Sequence, residues 1–116
     1  MTVTVNFFGR SVGVSAKQAQ TQAPSEKVVY ILNIENYATS INGTPTVLKV
    51  VDVEAVDTNV SSSVIGTQAV SASGTAITLP TLQSLTLGKS YRVHVNFVNG
   101  GNTQETFEPN FIVHCR

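Results

Sequence analysis

His94, His114, Cys115 and Glu105 carry the donor atoms of a metal centre. Their spacing opposes that use. His114 and Cys115 are adjacent, and adjacent residues of a strand point to opposite faces, so the two do not grip one ion. Cys115 as nucleophile with His94 as base is a second arrangement, but no strained elbow or oxyanion loop stands beside the cysteine. Asp52 and Glu54 share one strand face, ~7 Å apart by strand rise. Paired carboxylates can cleave glycosides, but the chain has no tryptophan to line a sugar groove, and same-face acids on a strand are ordinarily solvated. Gly88-Lys89-Ser90 has the ending of a phosphate loop without its upstream glycine, and a strand rather than a helix follows. Asn42-Gly43-Thr44 and Asn59-Val60-Ser61 match the glycosylation pattern, which matters in a secretory pathway alone. The residues therefore predict no catalytic set, no metal site and no cofactor, and a protein that is not an enzyme.

The elements that carry these residues are strands. In Tyr91-Arg92-Val93-His94-Val95-Asn96-Phe97 the apolar residues recur at period two, with Arg92, His94 and Asn96 on the other face. One apolar and one mostly polar face describe an antiparallel strand packed on one side. Thr2 to Phe8 alternates in the same way, with Val3, Val5 and Phe7 on one side. Val28 to Tyr37 is apolar on both faces in its first half and reads as a central strand. Asn42-Gly43-Thr44-Pro45 reads as a turn, and Thr46 to Asp57 as a long strand. Its apolar face changes character part-way, as at a bulge. Further short strands are predicted around Val64 to Val70, from Thr75 to Leu79 and from Phe111 to Cys115. Ser71-Ala72-Ser73-Gly74 reads as a turn between them, and Asn99-Gly100-Gly101-Asn102 as the strongest hairpin signal.

No helical periodicity survives anywhere, so seven or eight short strands predict an all-β, antiparallel sandwich. Ala16 to Lys27 is polar, rich in Gln and Ala, and reads as an exposed loop or linker. The expected organisation is an N-terminal strand or arm over residues 1–15, a loop over 16–27 and the sandwich over 28–116.

Composition bounds the partners. A chain of 116 residues is enough for one domain and buries roughly 65% of its unfolded surface. Seven basic and seven acidic residues cancel, which argues against nucleic acid and against an electrostatic membrane patch. Charged residues are 12% of the chain, about half the usual share. Such a surface does not defend itself by repulsion and suits a chain covered by partners. One cysteine excludes an intrachain disulfide. The start of the chain alternates rather than forming a signal, and no run approaches ~20 apolar residues. The expected site of synthesis is a cytoplasm.

Leu85-Thr86-Leu87-Gly88-Lys89-Ser90-Tyr91 resembles the turn into strand F of immunoglobulin-like and fibronectin type III-like sandwiches. The resemblance implies that Leu85 packs under the turn around Gly88 and that the Tyr91 hydroxyl bonds the backbone. The longer stretch from Ile77-Thr78-Leu79-Pro80 through Tyr91-Arg92-Val93 to Phe111-Ile112-Val113 is similar to small immunoglobulin-like proteins of tailed bacteriophages. These are capsid decoration (cement) proteins, head fibres and tail-fibre adaptors.

That resemblance implies a structural virion protein, a homo-oligomer or multi-copy assembly, assembled in the bacterial host cytoplasm. It would decorate the capsid by binding the major capsid protein or other virion subunits, without nucleic acid or membrane. The alternatives are a neck or tail-fibre adaptor and a cell-surface adhesive module. Val3, Val5, Phe7 and Phe8 are the expected partner contacts, pairing on a sheet edge; the competing reading places Phe7, and less firmly Phe8, in the core.

Overall fold

The computed structural model describes residues 1–7, 19–34, 40–53, 58–101 and 105–116. Ten strands and one helical turn lie among them: β1 (Thr2–Asn6), β2 (Gln20–Gln22), β3 (Val29–Asn33), β4 (Ile41–Asp52), β5 (Thr58–Asn59), α1 (Ser61–Val64), β6 (Ser71–Ser73), β7 (Ala76–Thr78), β8 (Ser90–Asn99), β9 (Thr106–Phe107) and β10 (Asn110–Cys115). One sheet has the order β1-β3-β7-β6. The other runs β2-β10-β8-β4-β5, with β9 also on β8. With β3, β7 and β6 taken as strands B, E and D, and β4, β8 and β10 as C, F and G, this is the strand order of an immunoglobulin-like sandwich. More strands appear than the seven or eight expected, because short polar ladders also pair.

The alternation of β8 is realised residue by residue: Tyr91, Val93, Val95, Phe97 and Asn99 are buried and their neighbours half-buried. The inner row meets Tyr30, Leu32 and Ile77 of the first sheet in one core. The Tyr30 and Phe111 rings touch, with centroids 5.2 Å apart. The predicted hairpin is present. Its register is continuous from Tyr91↔Val113 to Val98↔Thr106. Asn99 N–H closes it on the Glu105 carbonyl at 3.0 Å, and Asn102 lies outside the described residues. Pro109 falls inside this ladder opposite Val95. Its carbonyl still accepts from Val95 N–H at 3.0 Å, but it has no N–H to return, which divides β9 from β10.

Four local expectations are corrected. Val64 to Val70 is not a strand: Val64 ends α1, Ile65 makes an isolated bridge to Leu82, and residues 66–70 lie in no strand. Asn42 to Pro45 is not a turn but part of β4. Asn42 pairs Val98 and Thr46 pairs Asn96, so three residues stand against one. Gly43, at φ +74°, supplies the conformation this bulge requires. Ser71 to Ser73 is strand β6 rather than turn. The reversal is the two-residue loop Gly74-Thr75, with Gly74 at φ +61° in the position a II′ hairpin turn reserves for glycine. The 16–27 segment is not wholly exposed, for β2 lies within it and Gln22 is fully buried.

The change of face predicted in the strand after Thr46 has its cause in register. Val47 stands opposite Val95 but Lys49 opposite His94, so Leu48 is extra. The parity of the strand inverts there, and Val50 and Asp52 then stand opposite the core-facing Val93 and Tyr91.

Both sheets are mixed rather than antiparallel throughout, a correction to the expected sandwich: alternation along a strand does not report the direction of its neighbour. β1 runs parallel to β3, from Thr2↔Val29 to Asn6↔Asn33. β2 runs parallel to β10, from Gln20↔Val113 to Gln22↔Cys115.

Candidate functional site

The residues able to do chemistry are dispersed. Cys115 is buried on the inner side of β10, opposite Gln22. Burial pushes its thiol above the ordinary range. His114, next in the chain, lies on the outer side with Nδ1 2.7 Å from Ser90 Oγ. His94 stands opposite Asn110, five residues from Cys115 along β10. That is ~17 Å of strand, and the two lie on opposite faces. Glu105 takes a hydrogen bond from Asn99 Nδ2 at the far end of the hairpin, at 3.3 Å. Among the described residues no three His, Cys, Asp or Glu side chains converge as a metal site.

The carboxylate pair does not assemble as read. Asp52 is buried, and Lys89 Nζ lies 2.6 Å from its Oδ2. The inversion at Leu48 turned it inward, where an unpaired charge would be costly. Glu54 lies outside the described residues. Gly88-Lys89-Ser90 is thereby accounted for: Gly88 makes the turn, Lys89 neutralises Asp52, and Ser90 meets His114. Asn59 Oδ1 accepts from Ser61 N–H at 3.0 Å and from Ser61 Oγ at 2.7 Å. Ser61 Oγ in turn accepts from Val50 N–H at 2.7 Å, so this triplet fastens α1 to β4.

The expected structural corner forms. Lys89 N–H donates to the Thr86 carbonyl at 3.1 Å, closing a turn with Gly88 at φ +87°. A positive φ at the third residue is the type II requirement, which glycine meets at no steric cost. Leu85 is buried beneath it, and Tyr91 Oη accepts from Thr86 N–H at 2.9 Å. Tyr91→Phe removes that acceptor and should cost about 1 kcal/mol in chemical denaturation with an unchanged slope.

The expected contact residues sit as follows. Val5 and Phe7 are fully buried in the domain's own core, and Val3 is half-buried against it. Phe8 lies outside the described residues.

Two features escaped the sequence. The first is Gln22. Its Nε2 donates to the carbonyls of Glu26 at 3.0 Å and Leu82 at 2.8 Å, and its Oε1 accepts from Tyr30 Oη at 3.1 Å. It fastens β2 of one sheet to β3 of the other. The Ala23–Glu26 turn that follows is closed by Glu26 N–H on the Ala23 carbonyl at 3.1 Å. The signal was slight: Gln20 and Gln22 at period two before Pro24.

The second is a shallow recess on the outer face of β4 and β8, lined by Lys49, Val51, Arg92 and His94. Arg92 donates to Asn110 Oδ1 at 2.7 Å, and His94 Nδ1 is 3.1 Å from Glu108 Oε1. Two cations beside an imidazole can contact an anionic group. Burial lowers the His94 pKa most, Glu108 opposes it, and Lys49 and Arg92 add to the lowering. Because the folded value lies below the unfolded one, this group contributes stability above pH ~6.5. That contribution is lost as pH falls through the folded midpoint. An imidazole titration by NMR should give a midpoint below 6.5, and Glu108→Gln should lower it further.

No protein family, curated protein or solved structure matches this chain. The fold defines the class: an all-β sandwich of immunoglobulin-like strand order, with mixed sheets. No helix among the described residues is long and apolar enough to cross a membrane.

Proposed function

We propose that this chain is a non-catalytic structural protein of a tailed-bacteriophage virion, in the leading role a decoration (cement) protein bound to the major capsid protein. The observation that carries this reading is the chemistry of the sheet edges. The edge strands β1 (Thr-Val-Thr-Val-Asn), β6 (Ser-Ala-Ser), β2 (Gln-Thr-Gln) and β5 (Thr-Asn) contain no charged residue and no proline, whereas β4, which β5 covers only at Val51 and Asp52, carries Pro45, Lys49 and a bulge along the rest of its edge. Edges left to solvent are ordinarily guarded by lysine, proline or an inward charge. Unguarded edges with exposed polar side chains suit pairing with neighbouring chains, where backbone hydrogen bonds supply affinity.

The resemblance of the strand F and G region to phage immunoglobulin-like proteins directs the reading to the virion. Val5 and Phe7 hold the core, so contact with the capsid falls to the edges and outer faces. Each contact contributes little, and many copies on a lattice make the sum large.

Purified chain added to capsids assembled without it tests the cement role by co-sedimentation. Saturable binding at a fixed ratio to the capsid protein, with a raised capsid melting temperature, is the expected result. Absence of binding contradicts it.

A further inference from the structure

We infer that β1 is an exchangeable strand, which fills the slot beside β3 either in its own chain or in a second copy. The slot has to be filled. Val5 and Phe7 are 1% and 0% exposed, and they close the core beside Tyr30, Leu32 and Ile34. The backbone completes the seal, with Val29 N–H on the Met1 carbonyl at 2.9 Å and Phe7 N–H on the Asn33 carbonyl at 3.1 Å.

What fills the slot is set by direction. An antiparallel strand could be joined to β3 by a two-residue hairpin, which folds the chain locally onto itself. β1 is parallel to β3, and parallel neighbours need a crossover of a dozen residues or more. Here the crossover passes through β2 in the opposite sheet. The twelve residues from 8 to 19 separate Phe7 from β2 and span up to ~40 Å when extended. The domain measures 27 Å and 20 Å across its shorter axes. A contour of ~40 Å matches the longest extent of the domain, 40 Å, and exceeds the other two, so the length of this connection does not confine β1 to its own chain.

Within the sheet, β1 bonds to β3 alone and lies at the edge. It leaves without breaking any other ladder. The same contacts form in either arrangement, so the balance is set by concentration. For linked partners the intramolecular form competes at an effective concentration, on the order of millimolar for a short linker. Dilute chains stay closed, and crowded copies exchange, as in domain swapping. This inference is independent of the virion reading, because it concerns the purified chain.

Thr4 and Ile31 are register partners in β1 and β3. Full-length T4C and I31C chains carrying tags of different size are mixed at rising concentration and oxidised. The native Cys115 is buried. The expected product is a T4C–I31C disulfide heterodimer whose yield rises with concentration, whereas the T4C/I31C double variant in dilute solution closes within one chain. In parallel, isotope-labelled and unlabelled wild-type chains are mixed at millimolar concentration. Intermolecular NOEs between Val5 and Leu32, which are also register partners, are expected. A mixture with no intermolecular Val5–Leu32 NOE and no heterodimer overturns the inference, whether or not the double variant closes.

Discussion

Phe7→Ala is expected to destabilise the domain by about 3–5 kcal/mol, the range for truncating a buried phenylalanine. The side chain has no exposed surface, so both its transfer energy and a cavity contribute. Domains of this kind have about 5–15 kcal/mol in total, and the loss should lower the melting temperature on the order of 15 °C. Thermal unfolding by circular dichroism measures it. A loosely attached arm would give no shift. Val3→Ala is the internal comparison: Val3 shares the strand but is only half-buried, and its truncation should cost about 1 kcal/mol. A large effect at Phe7 with a small one at Val3 is the signature of a strand with one side in the core.

Gln22→Leu is expected to cost about 2–4 kcal/mol although it keeps roughly the same volume. Leucine cannot accept from Tyr30 Oη or donate to the carbonyls of Glu26 and Leu82. Val28 N–H still reaches the Leu82 carbonyl at 3.1 Å, so the larger penalty falls on the tyrosine hydroxyl, stranded in the core. Adding Tyr30→Phe should recover part of the loss, because two apolar groups face each other more cheaply than one apolar and one polar. Urea denaturation of the four-member cycle measures the coupling, expected at about 1–2 kcal/mol and favourable. Simple additivity would mean the two side chains do not act together.

The same burial raises the Tyr30 pKa well above its ordinary value, with the Glu26 charge adding to the rise. The unfolded chain loses this proton near pH 10 while the folded chain keeps it. Stability should therefore fall as pH rises past about 10, less so in Tyr30→Phe.

Period-two alternation made the sandwich legible. In β8 each inward residue is apolar apart from the terminal Asn99, and the turn before it carries its own chemistry in Leu85, Gly88 and Tyr91. β2 was not legible. Its buried residue is a glutamine, whose place depends on a carbonyl sixty residues away at Leu82, and no local pattern encodes that. Asp52 was misplaced for a related reason: one extra residue at Leu48 inverts every later side chain, and sequence alone does not locate the insertion. The partner and direction of β1 were also hidden, since alternation reports a buried face but not which strand lies beside it.

The central claim is that this chain is a component of a virion. Peptide mass spectrometry on purified phage particles from a source that encodes this chain, with heads and tails separated before digestion, tests it most directly. The account predicts many copies in the head fraction. A few copies confined to the neck or tail fraction would replace cement by adaptor, and complete absence from particles would contradict the virion assignment altogether.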